Sequence, residues 1–207
     1  MNLALLGGTG RTGRLLIDLA LLRGDTLRVL ARDPNRLHRH DERMTELQGD
    51  ARDPEALRRL TEGADAVLSA LGPVRGGAPD TMTVAARNLT TLMPGAGVRR
   101  LVTLTGAGVP AEGDRPGPID RVFRTLLRLT QPEVLKDSVT HADLIRASTL
   151  DWTVVRVPRL TDGPAAPLKV GLVGDIRPMV TRASVAQFML DEVTNGAHIG
   201  QLPAISN

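Results

Sequence analysis

Two kinds of apolar pattern alternate along the chain. Short runs of four to six residues at 3–6, 26–31, 44–49, 65–70, 100–105 and 152–157 have the length and composition of strands. Between them, at 14–23, from Pro54 onward, and from about 81 to a stop before Pro94, apolar residues recur at helical intervals. Two further helical patterns, 119–130 and 132–147, precede the last of these strands. The punctuation agrees with this reading. Gly24 stands where a left-handed cap closes the first helix, and Arg32-Asp33-Pro34 turns the chain out of the second strand. Asp53 and Pro54 form an N-cap and first helical residue. The Gly- and Pro-rich stretch 74–80 reads as an exposed loop, and 111–118 as a mobile loop over a site. Past residue 157 the pattern weakens to strand-like pieces at 168–173 and 176–180 and a helix near 183–193. Strands alternating with helices predict an α/β fold, a doubly wound parallel sheet. At 207 residues, one domain spanning 1–207 is expected, with about 158–207 completing the substrate side.

The chemistry concentrates where the first strand meets the first helix. Gly7, Gly10 and Gly13 follow the apolar run directly and open the helix. In that position Gly7 permits a tight turn, Gly10 lets a pyrophosphate approach the backbone, and Gly13 lets helix and strand pack closely. The free N–H groups and positive dipole end of the helix suit phosphate. The end of the second strand is where dinucleotide sites choose their cofactor: an acid would bond the ribose hydroxyls, whereas an arginine accommodates a 2′-phosphate. Arg32 stands there, with Arg36 following, which points to NADP(H). Asp50, at the end of the third strand, either accepts from an adenine amino group or folds the turn. Leu71-Gly72-Pro73 leaves the fourth strand at the cofactor edge.

Composition narrows the classes. There is no cysteine, which excludes disulfides and thiolate metal sites, and the four histidines form no metal pattern. The sequence pI is near 10.4, but the formal net charge is only +3. Acidic residues are interspersed, and one Trp and two Phe make no stacking platform, so nucleic acid is not the expected partner. No run has the length of a membrane span, and the chain enters its first strand at once. The expectation is a cytoplasmic protein with a small-molecule partner and no membrane partner.

The chain resembles the atypical short-chain dehydrogenase/reductases, in particular the small NAD(P)H-binding flavin reductase or biliverdin-reductase-B type and its NmrA-like relatives. The resemblance rests on Leu6-Gly7-Gly8-Thr9-Gly10-Arg11-Thr12-Gly13, Leu30-Ala31-Arg32-Asp33-Pro34 and Gly49-Asp50-Ala51, and on Ala64-Asp65-Ala66-Val67. The stretches 144–156 and 180–186 extend it over nearly the whole chain. It implies a Rossmann fold in which Thr9, Gly10, Arg11, Thr12 and Gly13 hold the pyrophosphate and Arg32 and Arg36 the 2′-phosphate. It also implies that Asp50 and Ala51 meet adenine, Leu71 and Gly72 flank ribose, and Thr103 to Thr105 with Pro158 line the nicotinamide pocket.

Typical members of the family donate a proton from a Tyr-x-x-x-Lys pair. This chain has no tyrosine, and Ser138 stands where the lysine is expected. Thr105 falls at the usual serine position, keeping a hydroxyl for a substrate oxygen. Arg159 falls where the flavin-reductase branch carries a histidine; it is no proton donor and would clamp a carboxylate or phosphate. His141 is expected on a helix surface and His38 and His40 in solvent, and His198 has no evident partner. Hydride transfer between stacked rings, with protons from solvent, needs no Tyr/Lys pair. The expected function is therefore an NADPH-dependent reductase of a small planar acceptor, flavin or quinone, with Thr105 and Arg159 as the catalytic candidates. The alternative is a non-catalytic NADP(H)-binding redox sensor of NmrA type.

Overall fold

A computed structural model describes residues 1–74 and 76–207. Its strands are β1 (Asn2–Leu6), β2 (Thr26–Ala31), β3 (Met44–Gln48), β4 (Ala66–Ser69), β5 (Arg100–Gly106), β6 (Asp151–Val157), β7 (Arg159–Thr161), β8 (Lys169–Gly171), β9 (Met179–Thr181) and β10 (Ala204–Ser206). The helices are α1 (Arg11–Leu22), α2 (Pro54–Thr61), α3 (Thr81–Gly95), α4 (Pro118–Thr130), α5 (Pro132–Arg146) and α6 (Arg182–Asn195). The main sheet runs β3-β2-β1-β4-β5-β6-β10-β8, while β7 and β9 pair separately. All pairings in the main sheet are parallel except that of β8 with β10. Because β1 lies between β2 and β4, the strand order reverses there. The carboxyl ends of β1 and β4 therefore flank the crevice where such sheets bind ligands.

The period of two along β1 sorts the core into two layers. Leu3 and Leu5 pack with Leu16, Ile17 and Ala20 of α1 and Val185, Met189 and Leu190 of α6. Ala4 and Leu6 face the other way, onto Leu57 and Leu60 of α2, Leu89 and Met93 of α3, and Ile145 of α5. Aliphatic side chains thus fill both layers, and Trp152 joins the second.

Most expected elements form within a residue or two of their predicted bounds, and the exceptions have physical causes. Helix α3 does not stop before Pro94 but runs through it to Gly95. A proline in the last turn removes only its own donor, and the amides of Ala96 and Gly97 still bond to Met93 and Pro94 carbonyls at 3.1 Å each. Strands β7 and β10 lie outside every expected element; each is three residues long, and neither sits in a longer apolar run. The segment 111–118 is pinned and does not arch over the dinucleotide-side crevice. Arg156, wholly buried on β6, grips Asp114 through both terminal nitrogens at 2.6 and 3.0 Å, and the same carboxylate accepts from the Val173 and Ala111 amides. Burial pushes the Asp114 carboxyl up, but these bonds outweigh it and hold the group below its usual range. Of the loop 74–80, Arg75 lies outside the described residues; Val74, Gly76, Ala78, Pro79 and Asp80 are exposed.

Candidate functional site

The glycine turn is built as its spacing requires. Gly7 has φ +81°, and a Cβ there would sit 2.6 Å from the Ala70 carbonyl oxygen of the neighbouring strand end. A Cβ on Gly13 would fall 2.0 Å from the Gly7 oxygen, so α1 packs directly on the turn. Gly10 is different. It has an ordinary φ of −78° as the α1 N-cap, and its Cβ would meet only the Gly7 oxygen, at 3.2 Å. The fold tolerates a side chain at Gly10 better than at the other two positions; a bulky one would intrude on the crevice instead. Among the described residues no side chain caps α1, and no acid occupies its first turn, which leaves its end open to an anion.

A cleft of about 350 Å³ runs from this turn across the carboxyl ends of β1, β2 and β4. Gly7, Thr9, Gly10, Arg11, Thr12, Arg32, Asp50, Ala51, Leu71 and Gly72 all line it. Arg32 lies exposed at its rim. Asp50 uses one carboxylate oxygen to accept from the Arg52 amide at 2.8 Å, so its turn-folding role is realised. Three expectations need correcting. Gly13 supports the turn from below without lining the cleft. Arg36 sits on an exposed 3-10 turn, Pro34–Arg36, initiated by Asp33, and is not part of the wall. Thr103 is buried in the core, its hydroxyl 3.1 Å from His141 Nε2 and 3.5 Å from the Ser69 carbonyl.

Arg182, which sequence reasoning left without a role, also lines the cleft although it is buried. Its guanidinium donates to Asp162 at 2.6 Å, and Arg11 reaches the other oxygen of the same carboxylate at 3.3 Å. Two cations therefore converge beside the glycine turn. The available signal was an arginine at the first position of a helix directly after a strand, which the resemblance included without a function.

A second, apolar pocket of about 250 Å³ adjoins the cleft, sharing Leu71, Gly72, Pro73, Leu104 and Leu160 with it. Thr105, Ser138, Val157 and Pro158 belong to its wall, and Leu127 of α4 and Val134 and Leu135 of α5 close one side. The Thr105 hydroxyl is buried with no hydrogen-bond partner among the described residues. Thr103 and Thr105 share one face of β5, so period two places both on the α5 side. Only Thr105, at the strand end, reaches the pocket; Thr103 lies one repeat deeper.

Arg159 is exposed and absent from both walls; Leu160, the next residue on β7, takes the inward position. The clamp expected of Arg159 is therefore not formed. His141 is not a surface residue either. It is 3% exposed, and burial drives its pKa down to about 4, against a smaller opposing pull from Asp137. It is a neutral imidazole at physiological pH, and its Nδ1 has no partner among the described residues. Asp137 itself accepts from the Met82 and Thr83 amides at 3.1 and 2.8 Å, tying α5 to the start of α3. His198 has a partner after all, Glu192, with Nδ1 2.6 Å from its carboxylate. His38 and His40 are exposed, as expected, and lie against Asp18 and Glu46.

A family model described as NAD(P)H-binding matches residues 7–196. Among solved structures, ChuY, an anaerobillin reductase of Escherichia coli O157:H7, is similar at 18% identity. The match covers 100% of this chain and 97% of that one, with a TM-score of 0.83. A short-chain dehydrogenase/reductase of Veillonella parvula in complex with NADP is similar at 17% identity, covering 100% and 94%, with a TM-score of 0.82. The oxidoreductase ylbE of Lactococcus lactis matches at 18% identity over 100% and 91%, also with a TM-score of 0.82. At these identities the structures share the fold.

Proposed function

The chain belongs to the NAD(P)H-binding family, and from that premise we propose that it is an NADPH-dependent reductase of a small planar acceptor, of flavin or quinone type, working as one dinucleotide-binding domain. The residues fit the cofactor. The space above Gly10 is one that a side chain would fill, and Arg11 and Arg182 converge where a pyrophosphate would lie. Arg32, at the rim, would meet the 2′-phosphate. The reduced nicotinamide supplies a hydride when bound.

The observation that carries the reading is the unpartnered, buried hydroxyl of Thr105 in the wall of an apolar pocket continuous with the dinucleotide cleft. A planar apolar acceptor suits walls of Leu104, Val157, Pro158 and Leu160, and an acceptor oxygen or nitrogen would take the hydrogen bond that Thr105 now lacks. Thr105 orients the acceptor and excludes water from one side. With no tyrosine in the chain, no Tyr/Lys pair supplies the proton, and solvent does. The preformed apolar pocket beside the cleft favours a reductase over the sensor alternative.

The test is NADPH oxidation followed with a flavin and with a quinone. The parent protein is expected to reduce at least one. Thr105→Val, which keeps shape and removes the hydroxyl, is expected to slow it about five- to tenfold, since a neutral hydrogen bond is worth about 1–1.4 kcal/mol. A parent protein that binds NADPH and reduces no acceptor would overturn the reductase reading in favour of the sensor.

A further inference from the structure

Helix α4 has no buried residue. Ile119, Val122, Phe123, Leu126 and Leu129 are 71, 69, 51, 54 and 76% exposed. They follow one another at helical intervals and so form one stripe along the helix. Only Asp120 and Leu127 are partly covered, so the helix rests on the body along that edge. Contiguous apolar surface of this kind marks an interaction site. Its electrostatic surroundings are equally uneven. Helix α4 itself carries Arg121, Arg124 and Arg128 against Asp120 alone. Among the described residues, Arg121, Arg124 and Arg128 are exposed and form no ion pair.

We propose that α4 docks this protein on an anionic lipid surface, its apolar stripe lying in the boundary between headgroups and acyl chains and its arginines meeting lipid phosphates. A short helix with one apolar flank and one arginine-rich flank suits that boundary without crossing it. At 13 residues it is about 20 Å long, short of the length a span needs. The two hydroxyls beside the stripe are already satisfied: Thr125 donates to the Arg121 carbonyl and Thr130 to the Leu126 carbonyl, both at 2.8 Å. They carry no unpaired donor into a medium that offers no acceptor. A second copy of the chain is the less favourable occupant, because pairing two α4 helices would bring two sets of three unpaired arginines together. An acidic protein partner would find no free polar group in the stripe to fix its orientation.

The docking has a consequence that rests on the reductase reading. Leu127 of α4 is also a wall of the acceptor pocket, so docking holds that pocket at the lipid surface. The acceptor is then a planar molecule that partitions into lipid, of quinone rather than water-soluble flavin type.

Flotation of the full chain with vesicles of phosphatidylcholine alone, and of phosphatidylcholine mixed with phosphatidylglycerol, tests the docking. At least tenfold stronger partitioning onto the anionic vesicles is expected, since each arginine near the surface contributes about 1 kcal/mol, and raised salt should weaken it. Leu126→Glu with Leu129→Glu should abolish partitioning while NADPH affinity and circular dichroism stay as in the parent. Equal partitioning onto both vesicles, no binding to either, or a double variant that binds as the parent does would overturn the proposal. So would a concentration-dependent dimer, seen by sedimentation velocity without lipid and abolished by the same substitutions, which would make a second copy the occupant. Failure of the reductase reading would appear separately, as no acceptor reduction with or without vesicles while partitioning is retained.

Discussion

His141 permits a quantitative check of the core beneath the acceptor pocket. In the unfolded chain its imidazole titrates near 6.5, and in the folded protein burial holds it neutral down to about 4. Its folded pKa is depressed, so on acidification the unfolded chain takes up the proton first. Stability attributable to this group is therefore intact above about pH 6.5 and is lost as pH falls toward 4. The linkage amounts to about 2 kcal/mol by pH 5 and about 3 kcal/mol at pH 4. His141→Gln removes the titration and keeps a group able to bond the Thr103 hydroxyl. Urea denaturation followed by the fluorescence of Trp152, the single tryptophan, measures both proteins at pH 7 and pH 5. The variant is expected to be the less stable at pH 7, because an amide packs worse than the imidazole. Between pH 7 and pH 5 the parent should lose about 2 kcal/mol more than the variant. The other three histidines are common to both proteins, and their contributions cancel in the comparison. If parent and variant lose the same stability over that interval, His141 is not held neutral by burial and the argument fails.

Arg32→Ala should weaken NADPH binding about tenfold and leave NADH nearly unchanged; a charged contact to phosphate is worth about 1.5–3 kcal/mol before allowance for exposure, and titration with both cofactors checks it. Gly13→Ala should destabilise the fold by about 3 kcal/mol, because its methyl would meet the Gly7 oxygen. Gly10→Val should instead leave thermal stability near the parent's and abolish NADPH binding, a contrast visible in paired melting and titration experiments. Asp114→Ala should cost about 3–5 kcal/mol in urea, since it leaves the wholly buried Arg156 guanidinium without its carboxylate.

The doubly wound sheet could be read from residues 3–157 because long elements repeat their pattern often enough to be told apart. Arg32 and Gly7 were legible for a related reason: each sits at a strand end, where position in the chain fixes position in the crevice. Depth and azimuth were not legible. Thr103 and Thr105 have the same residue type and face the same side of β5, and only their distance from the strand end separates a core hydroxyl from one in the pocket. Arg159 and Leu160 show the converse: in a three-residue strand nothing in the sequence says which of two neighbours turns inward. His141 was read as a surface residue because the spacing along α5 does not reveal that α3 packs over it. The stripe on α4 was present in the sequence as 119, 122, 123, 126 and 129, but periodicity marks an apolar face without saying whether anything covers it. The expected absence of a membrane partner rested on the lack of a spanning run. Among the described residues no helix is long and apolar enough to cross a membrane, yet an interfacial helix needs no such run.

The two ends of the main sheet bear on how this protein behaves when concentrated. One edge is β3, whose Thr45 and Gln48 are exposed polar residues. The other is β8, three residues long, beginning at exposed Lys169 and running against its neighbour. Short, polar or charged edges offer a poor template for another strand. Both edges therefore disfavour growth by strand addition, and with it fibrillar, edge-to-edge association. Association in a crowded preparation should proceed through helix faces, giving discrete or amorphous species rather than cross-β ones.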